Sequence, residues 1–368
     1  MINRESGIFK TTYQADMAFF RVPLAQWTIG IVLVLVVIII PLVADDYWFG
    51  AIILPFLIFS IAAIGLNLLT GYCGQISLGH AAFIMVGGYT ATVLYIGVPH
   101  MGIPSVPFLL SVLGGGLNAA LIGLLFGIPS ARIKGLYLAM ATLAAQFTLP
   151  WVVSRVTPFF VKGGLAVAGG DTLYPPASYI FGWQIKTNMD KYYVSLAFLV
   201  VLTIFAMNLA RSRVGRAWIA IRDHDVAARI LGFDITRYKL LAFAISSFYA
   251  GIAGGLLVFF YFGVAHVGEF GLLLSIRLLA IVLIGGLGSI LGNFYGVAFF
   301  LLLPIFLNRT LISLGDSLGI YVSTGITSGV ETLIFGTLVI VFLVVEPLGM
   351  AKLWENFKDY FRLWPFSY

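Results

Sequence analysis

From residue 27 to residue 346 the sequence keeps returning to apolar runs long enough to cross a lipid bilayer, and that recurrence constrains the fold more than any motif does. A helix needs about 20 mostly apolar residues to span the hydrocarbon core. Runs of that order fall at 27–44, 50–69, 77–97, 106–127, 136–154, 193–210, 240–262, 272–287, 290–308 and 328–346. Backbone polar groups in lipid must be satisfied within the chain, which leaves helices or a closed barrel, and runs this long select helices. Only 10% of the 368 residues are charged, against about 25% in soluble domains. The expected fold is all-α: a polytopic membrane helix bundle of about ten transmembrane helices with broken or re-entrant segments.

The linkers alternate in charge. With the N-terminus inside, the inner segments collect most of the 21 Lys and Arg, among them Arg211, Arg213, Arg216, Arg229 and Arg237. The positive-inside rule then places both termini in the cytoplasm. Residues 1–26 read as a cytoplasmic segment, 27–346 as one transmembrane domain and 347–368 as a cytoplasmic tail. Within the domain, 155–191 is an extracytoplasmic loop rich in glycine and proline, lying at the membrane surface, and 211–239 is the one sizeable inner loop. The run 27–44 follows a polar head and lacks a small-residue cleavage motif, so it reads as a retained span. A net charge of +6 suits contact with an anionic inner leaflet and a partner; it is a poor footprint for nucleic acid.

The stretch GYCGQISLGHAAF, 71–83, interrupts two apolar runs with three glycines and several hydrogen-bonding groups. Glycine weakens a helix by about 1 kcal/mol relative to alanine, so a broken or re-entrant helix is expected here. Irregular backbone at membrane depth is tolerated where it is buried in protein or lines an aqueous cavity. Two readings follow: close helix packing, or a pathway element whose candidates are Asn67, Gln75, Ser77 and His80. A similar phrase, GGLGSILG at 285–292, also reads G-x-x-G-x-I with Leu-Gly after it, and implies a second packed junction.

The inner loop contains apolar positions Trp218, Ile221, Ala227, Ala228, Ile230 and Leu231 interleaved with Arg222, Asp223, His224, Asp225 and Arg229. This describes a short amphipathic helix between 217 and 231, where Asp223 or Asp225 can cap the helix that follows it and Gly232 can stop it. It either rests on lipid headgroups or docks on a soluble partner.

Several chemistries are missing. No lysine follows a glycine, so there is no G-x-x-x-x-G-K-[ST] loop to cradle ATP. H-E-x-x-H and G-x-S-x-G are also absent, the four histidines are far apart, and Cys73 is alone, so no metal site or internal disulfide is expected. The few ionisable residues in or near spans, Glu269, Arg277 and Glu331, are fewer than a proton-driven carrier would show. An ion-coupled secondary transporter is the alternative among carriers, and an intramembrane enzyme the alternative from another class.

Four phrases in order, GLNLLTGYCGQISLGHAAF (65–83), IPSARIKGLYLAMATL (128–143), GRAWIAIRDHDVAARILGFDITRYKLLAFAISSFYAGIAGGL (215–256) and LLSIRLLAIVLIGGLGSILGNFYG (273–296), closely resemble the LivM-like membrane-permease subunits of branched-chain amino-acid ABC importers. The resemblance implies a subunit of the bacterial cytoplasmic (inner) membrane that moves branched-chain amino acids or related small polar solutes by alternating access. It implies a second, LivH-like permease, two cytoplasmic ATPases that bind ATP and Mg, and an extracytoplasmic solute-binding protein; no cofactor is implied in this chain. The run D-V-A-A-R-I-L-G, 225–232, is similar to the family's E-x-A-A-x-x-x-G coupling segment, which makes Arg222, Asp223, Asp225, Ala227, Ala228, Gly232 and Phe233 the implied ATPase-coupling residues. Asp225 stands where glutamate is frequent, Arg277 where the family often carries glutamate, and KGGL at 162–165 is a remnant of T-G-G-x-x-G-L.

Overall fold

The computed structural model describes residues 30–31, 34–98, 104–131, 136–160, 167–168, 172–180, 182–318, 324–345 and 349–363. The expected segment 1–26 and the KGGL phrase lie outside the described residues. In chain order the helices are α1 (34–43), α2 (Asp46–Tyr72), α3 (His80–Ile96), α4 (Phe108–Ala131) and α5 (Leu136–Phe160). After two short ribbons come α6 (Asn188–Arg211), α7 (Arg213–Asp223), α8 (Asp225–Ile230), α9 (Ile235–Phe262) and α10 (Leu272–Gly285). The chain continues through α11 (Ile290–Leu318), α12 (Thr324–Val345) and α13 (Gly349–Leu363).

Six of these helices, α2, α4, α5, α6, α9 and α11, are long and apolar enough to cross a membrane by length and composition. Two expected spans are shorter than drawn from the sequence. Helix α3 has 17 residues and α10 has 14, or about 26 and 21 Å at 1.5 Å per residue, less than the ~30 Å hydrocarbon core. Each adjoins one of the glycine-rich phrases, where the helix breaks.

Helix α2 is continuous across Pro55 because the ladder widens just before it. Pro55 has no N–H, and the Leu54 N–H reaches back to the Phe49 carbonyl in a π turn over Phe49–Ile53. A second π turn, Leu68–Tyr72, ends the helix at the first glycine-rich phrase.

The bundle is organised around α9, which packs on α2, α3 and α4. Small residues let these backbones touch. A Cβ added to Gly251 would lie 2.6 Å from the Ala119 Cβ and 2.8 Å from the Gly115 carbonyl, and one on Gly254 would strike the Ile84 carbonyl and sit 3.0 Å from the Gly88 nitrogen. The Tyr249 hydroxyl donates to the Leu202 carbonyl at 2.6 Å, tying α9 to α6.

The all-α bundle carries short β ribbons at one end. Residues 167–184 form two-residue strands: β1 (Val167–Ala168), β2 (Thr172–Leu173), β3 (Tyr179–Ile180) and β4 (Trp183–Gln184). With β5 (Ala265–His266), β1 and β2 make a three-stranded antiparallel sheet in the order β1-β2-β5, while β3 and β4 pair as a hairpin. The loop cannot leave its backbone groups unpaired. Tyr95, on the last turn of α3, donates its hydroxyl to the Ala177 carbonyl at 2.7 Å and accepts from the Tyr179 N–H at 3.0 Å.

At the other end, part of the expected tail folds back. Helix α13 packs on α10 and α11: Ala351 approaches Gly292 closely, and the Trp354 and Tyr295 rings lie 6.0 Å apart. That docking was not legible in the charged, amphipathic sequence of 349–363.

Candidate functional site

The two glycine-rich phrases meet in space. Gly74 and Gly288, which occupy the same place in the G-x-x-G-x-I pattern, both adopt left-handed backbone, with φ of +71° and +79°, a conformation that costs other residues about 1–2 kcal/mol. Between the phrases lies Asn67, fully buried. Its Nδ2 donates to the Ser289 carbonyl at 2.9 Å and to Asn293 Oδ1 at 3.0 Å, and its Oδ1 accepts from the Gly288 N–H at 2.9 Å. Asn67 is therefore the clamp between the broken helices.

The irregular segment 74–79 and the start of α3 would leave orphan N–H groups inside the bundle. Side chains from two other helices accept them. Thr142 Oγ1 takes the Leu78 N–H at 3.0 Å, Ser275 Oγ takes Ala81 at 2.9 Å, and Gln146 Oε1 takes Ala82 and the Ser275 hydroxyl, both at 3.0 Å. Gln146 Nε2 donates to the Phe270 carbonyl at 2.8 Å. Sequence reasoning missed Thr142, Gln146 and Ser275. Their signal was present as polar residues isolated within apolar runs, with Thr142 and Gln146 one helical turn apart on one face.

Of the pathway candidates, Gln75, Ser77 and His80 share this segment and are buried. His80 faces the Ala62 carbonyl through Nε2 at 3.2 Å, which makes Nε2 the protonated nitrogen. Among the described residues, its Nδ1, the Ser77 hydroxyl and both polar atoms of the Gln75 carboxamide have no partner. Asn67, by contrast, is occupied by the clamp.

The 211–239 loop contains two helices, not one. His224, extended at φ −152°, ψ 98°, separates α7 from α8. The expected carboxylate cap is also displaced: Asp225 opens α8 and neither it nor Asp223 caps it. The caps used are Ser212, which accepts from Val214 and Gly215 N–H, and Asp234, which accepts from Arg237 N–H at the start of α9. Gly232 does stop the helix. Its N–H bonds to the Arg229 carbonyl, and the Phe233 N–H to the Ala228 carbonyl, the paired closure that needs left-handed backbone at the glycine, here φ +88°. Gly232→Val should cost about 1–2 kcal/mol and raise the hydrogen-exchange rates of the Gly232 and Phe233 amides, with the spans unchanged.

This closure fixes which face of α8 is free. Ala228 is 1% exposed and packs on Ile221 and Ile235 of its own chain, with Phe233 and Tyr238 around it. The exposed apolar face is Val226, Ile230 and Leu231, the last two 82% and 74% exposed.

Arg222 joins this hairpin to the broken helices. Its Nη1 donates to the Gly71 carbonyl at 2.7 Å, and its Nε bonds Asp223 Oδ1 at 3.0 Å. A Cβ on Gly74 would lie 2.8 Å from Arg222 Cγ, and one on Gly288 would lie 3.3 Å from Nη1. One guanidinium thus reaches both glycine-rich junctions from the α7–α8 hairpin.

Comparison with known proteins gives this arrangement a family. The family model described as "Branched-chain amino acid transport system / permease component" matches residues 49–343. The chain belongs to that permease family. It is 32% identical over 252 residues to the high-affinity branched-chain amino acid transport system permease protein LivM of Salmonella typhimurium, and 32% identical over 260 residues to LivM of Escherichia coli K12. Each match covers 63% of this chain and 57% of the relative, so the chain spans little more than half the length of those proteins. BraD of Pseudomonas aeruginosa is 27% identical over 65% of this chain and 78% of its own. No solved structure matches. Within the matched region of this family member lie both glycine-rich junctions, the α7–α8 hairpin and Arg222.

Proposed function

We propose that this permease is the LivM-type subunit of an ATP-driven importer of branched-chain amino acids or related small polar solutes in the bacterial cytoplasmic membrane. Its partners are a second, LivH-type permease, two ATPases that bind ATP and Mg on the inner side, and a solute-binding protein at the outer ribbons. About ten spans and cytoplasmic termini complete the reading, with 1–26 and 347–368 inside and 27–346 as the transmembrane domain. The observation that carries it is Arg222: a displacement of the α7–α8 hairpin is delivered to the Gly71 carbonyl and against Gly288 without a flexible linker between. Arg222, Asp223 and Asp225 lie at the hairpin bend, Gly232 and Phe233 close it, Ala228 holds it to α9, and Ala227 belongs to its exposed side with Val226, Ile230 and Leu231. Gln75, Ser77 and His80 are the pathway candidates, since their polar groups await partners that another conformation or a solute would supply.

The test is leucine uptake into proteoliposomes containing the chain with its neighbouring-gene permease, ATPases and binding protein. Uptake should require hydrolysable ATP and binding protein, and the purified chain alone should release no phosphate above an empty-vector preparation. Uptake driven by an ion gradient without the ATPases would overturn the reading.

Orientation has its own check, in a Cys73→Ala background. Tyr174→Cys, in the outer loop, should react with an impermeant maleimide in sealed right-side-out vesicles, whereas Arg213→Cys, at the start of α7, should react only after the vesicles are opened. Equal labelling of both before opening would reverse or break the assigned topology.

A further inference from the structure

Helix α10 is apolar along its length except for Ser275 and Arg277, and two neighbouring spans fix the level of both. The Ser275 hydroxyl donates to Gln146 Oε1 at 3.0 Å, and Gln146 is the tenth of the 21 residues in the apolar stretch Tyr137–Thr157 of α5. Arg277 follows about 3 Å further along the helix. Its guanidinium carbon lies 6.0 Å from the centre of the Phe300 ring, and Phe300 is the eleventh of the 21 residues in the stretch Ile290–Thr310 of α11. Two spans therefore place Arg277, independently, near the bilayer midplane.

Arg277 is exposed, as are Leu273 and Ile276 on the same face, at 58% and 46%. The Phe300 ring attracts the cation, but among the described residues the guanidinium makes no hydrogen bond or ion pair. A charged side chain at the centre of the hydrocarbon is costly and is retained where it is paired or reaches water. The neighbours of Arg277 on its face are leucine and isoleucine, and α5, joined to α10 at this level by Gln146 and Ser275, exposes Phe147. An arginine set among apolar and aromatic side chains has the composition of the centre of a protein contact.

We infer that the face of α10 carrying Leu273, Ile276 and Arg277 is the contact with a second, different membrane-embedded chain, which presents a carboxylate to Arg277 at the bilayer midplane. Two copies of one chain inserted the same way are related by an axis along the membrane normal, so every residue keeps its depth and Arg277 would approach Arg277. Like charges across a contact suppress that pairing. The inference rests on the importer reading for the identity of the second chain as a permease, and on Arg277 for the face it covers and the charge it carries.

The test is co-expression of the full chain with its neighbouring-gene permease, measuring how much of the second permease is recovered with it in mild detergent. Arg277→Leu should lower that recovery by about tenfold or more, because it leaves the partner's carboxylate buried and unpaired. The variant chain by itself should extract and melt like the parent, since a ring contact is all that Arg277 loses there. Arg277→Lys should keep the second permease bound. Arg277→Glu should release it, and exchanging one Asp or Glu in the spans of the second permease for Lys should bring it back. Parental recovery with both Arg277→Leu and Arg277→Glu would overturn the inference, as would the failure of every such exchange to restore binding. Glu269→Gln and Glu331→Gln should associate as the parent does; if either copies Arg277→Leu, the ion pair belongs to this chain or its copies and the inference falls. Normal assembly of Arg277→Leu with loss of leucine uptake would assign Arg277 to the cargo carboxylate and equally overturn the contact, while leaving the importer reading intact. A pair held together through Arg277 in a complex that imports nothing would sink the importer reading and leave the contact standing.

Discussion

Gly254→Val should leave little folded protein in the membrane. Gly254 sits on α9 where its Cα faces the backbone of α3, and a side chain there meets the Ile84 carbonyl and the Gly88 nitrogen rather than a rotatable side chain. Overpacking a fitted core typically costs about 1–3 kcal/mol, and the cost rises when the obstacle is helical backbone that cannot turn away. Helix α9 also contacts α2 and α4, so displacing it disturbs the whole centre of the bundle. The expected result is loss of the monodisperse peak on detergent extraction, at near-normal synthesis. Gly329→Val is the control, because nothing lies within 4 Å of a Cβ there, and it should extract like the parent. A Gly254→Val chain that extracts and melts like the parent would show that α3 and α9 do not cross as described.

The second large effect concerns transmission. Ile230→Asp with Leu231→Asp should reduce transport, and binding-protein-stimulated ATP hydrolysis, to background while leaving expression and thermal melting near those of the parent. Both side chains are largely exposed at the tip of α8, so the folded chain has little packing to lose. A docked partner would have to bury two carboxylates in an apolar contact, and truncating or charging anchor residues at the centre of an interface commonly costs 2 kcal/mol or more. Co-purification of the ATPases should fall in parallel. Ala228 is the wrong place for this test, since Ala228→Glu would wedge α8 off α9 and confound docking with misfolding. If the double aspartate variant transports at the parental rate, the apolar tip rests on lipid and is not the docking surface.

The sequence made some of this legible and hid the rest for identifiable reasons. Gly232 as a helix stop was readable because left-handed backbone has a strong residue preference. The break between α7 and α8 at His224 was not, because the amphipathic pattern continues across it, and only the packing of Ala228 onto Ile221 and Ile235 requires the bend. Asn67 looked like a pathway residue for the same reason it makes a good clamp: a buried carboxamide in an apolar span must have partners, and the sequence does not say whether those are solute, water or backbone. The partners turned out to be 219 or more residues away.

By itself, the sequence determined the membrane class, the helix breaks at the two glycine-rich phrases, and the absence of a phosphate-binding loop. These follow from hydrophobic length, from glycine's backbone preferences and from residue chemistry, all of which act locally. Tertiary structure alone decided that the two glycine-rich phrases touch, that Arg222 reaches both, that α13 folds back onto α10 and α11, and which face of α8 is left bare. Those are properties of long-range contacts, where one buried polar atom selects among several chemically equivalent partners only after the helices have been brought together.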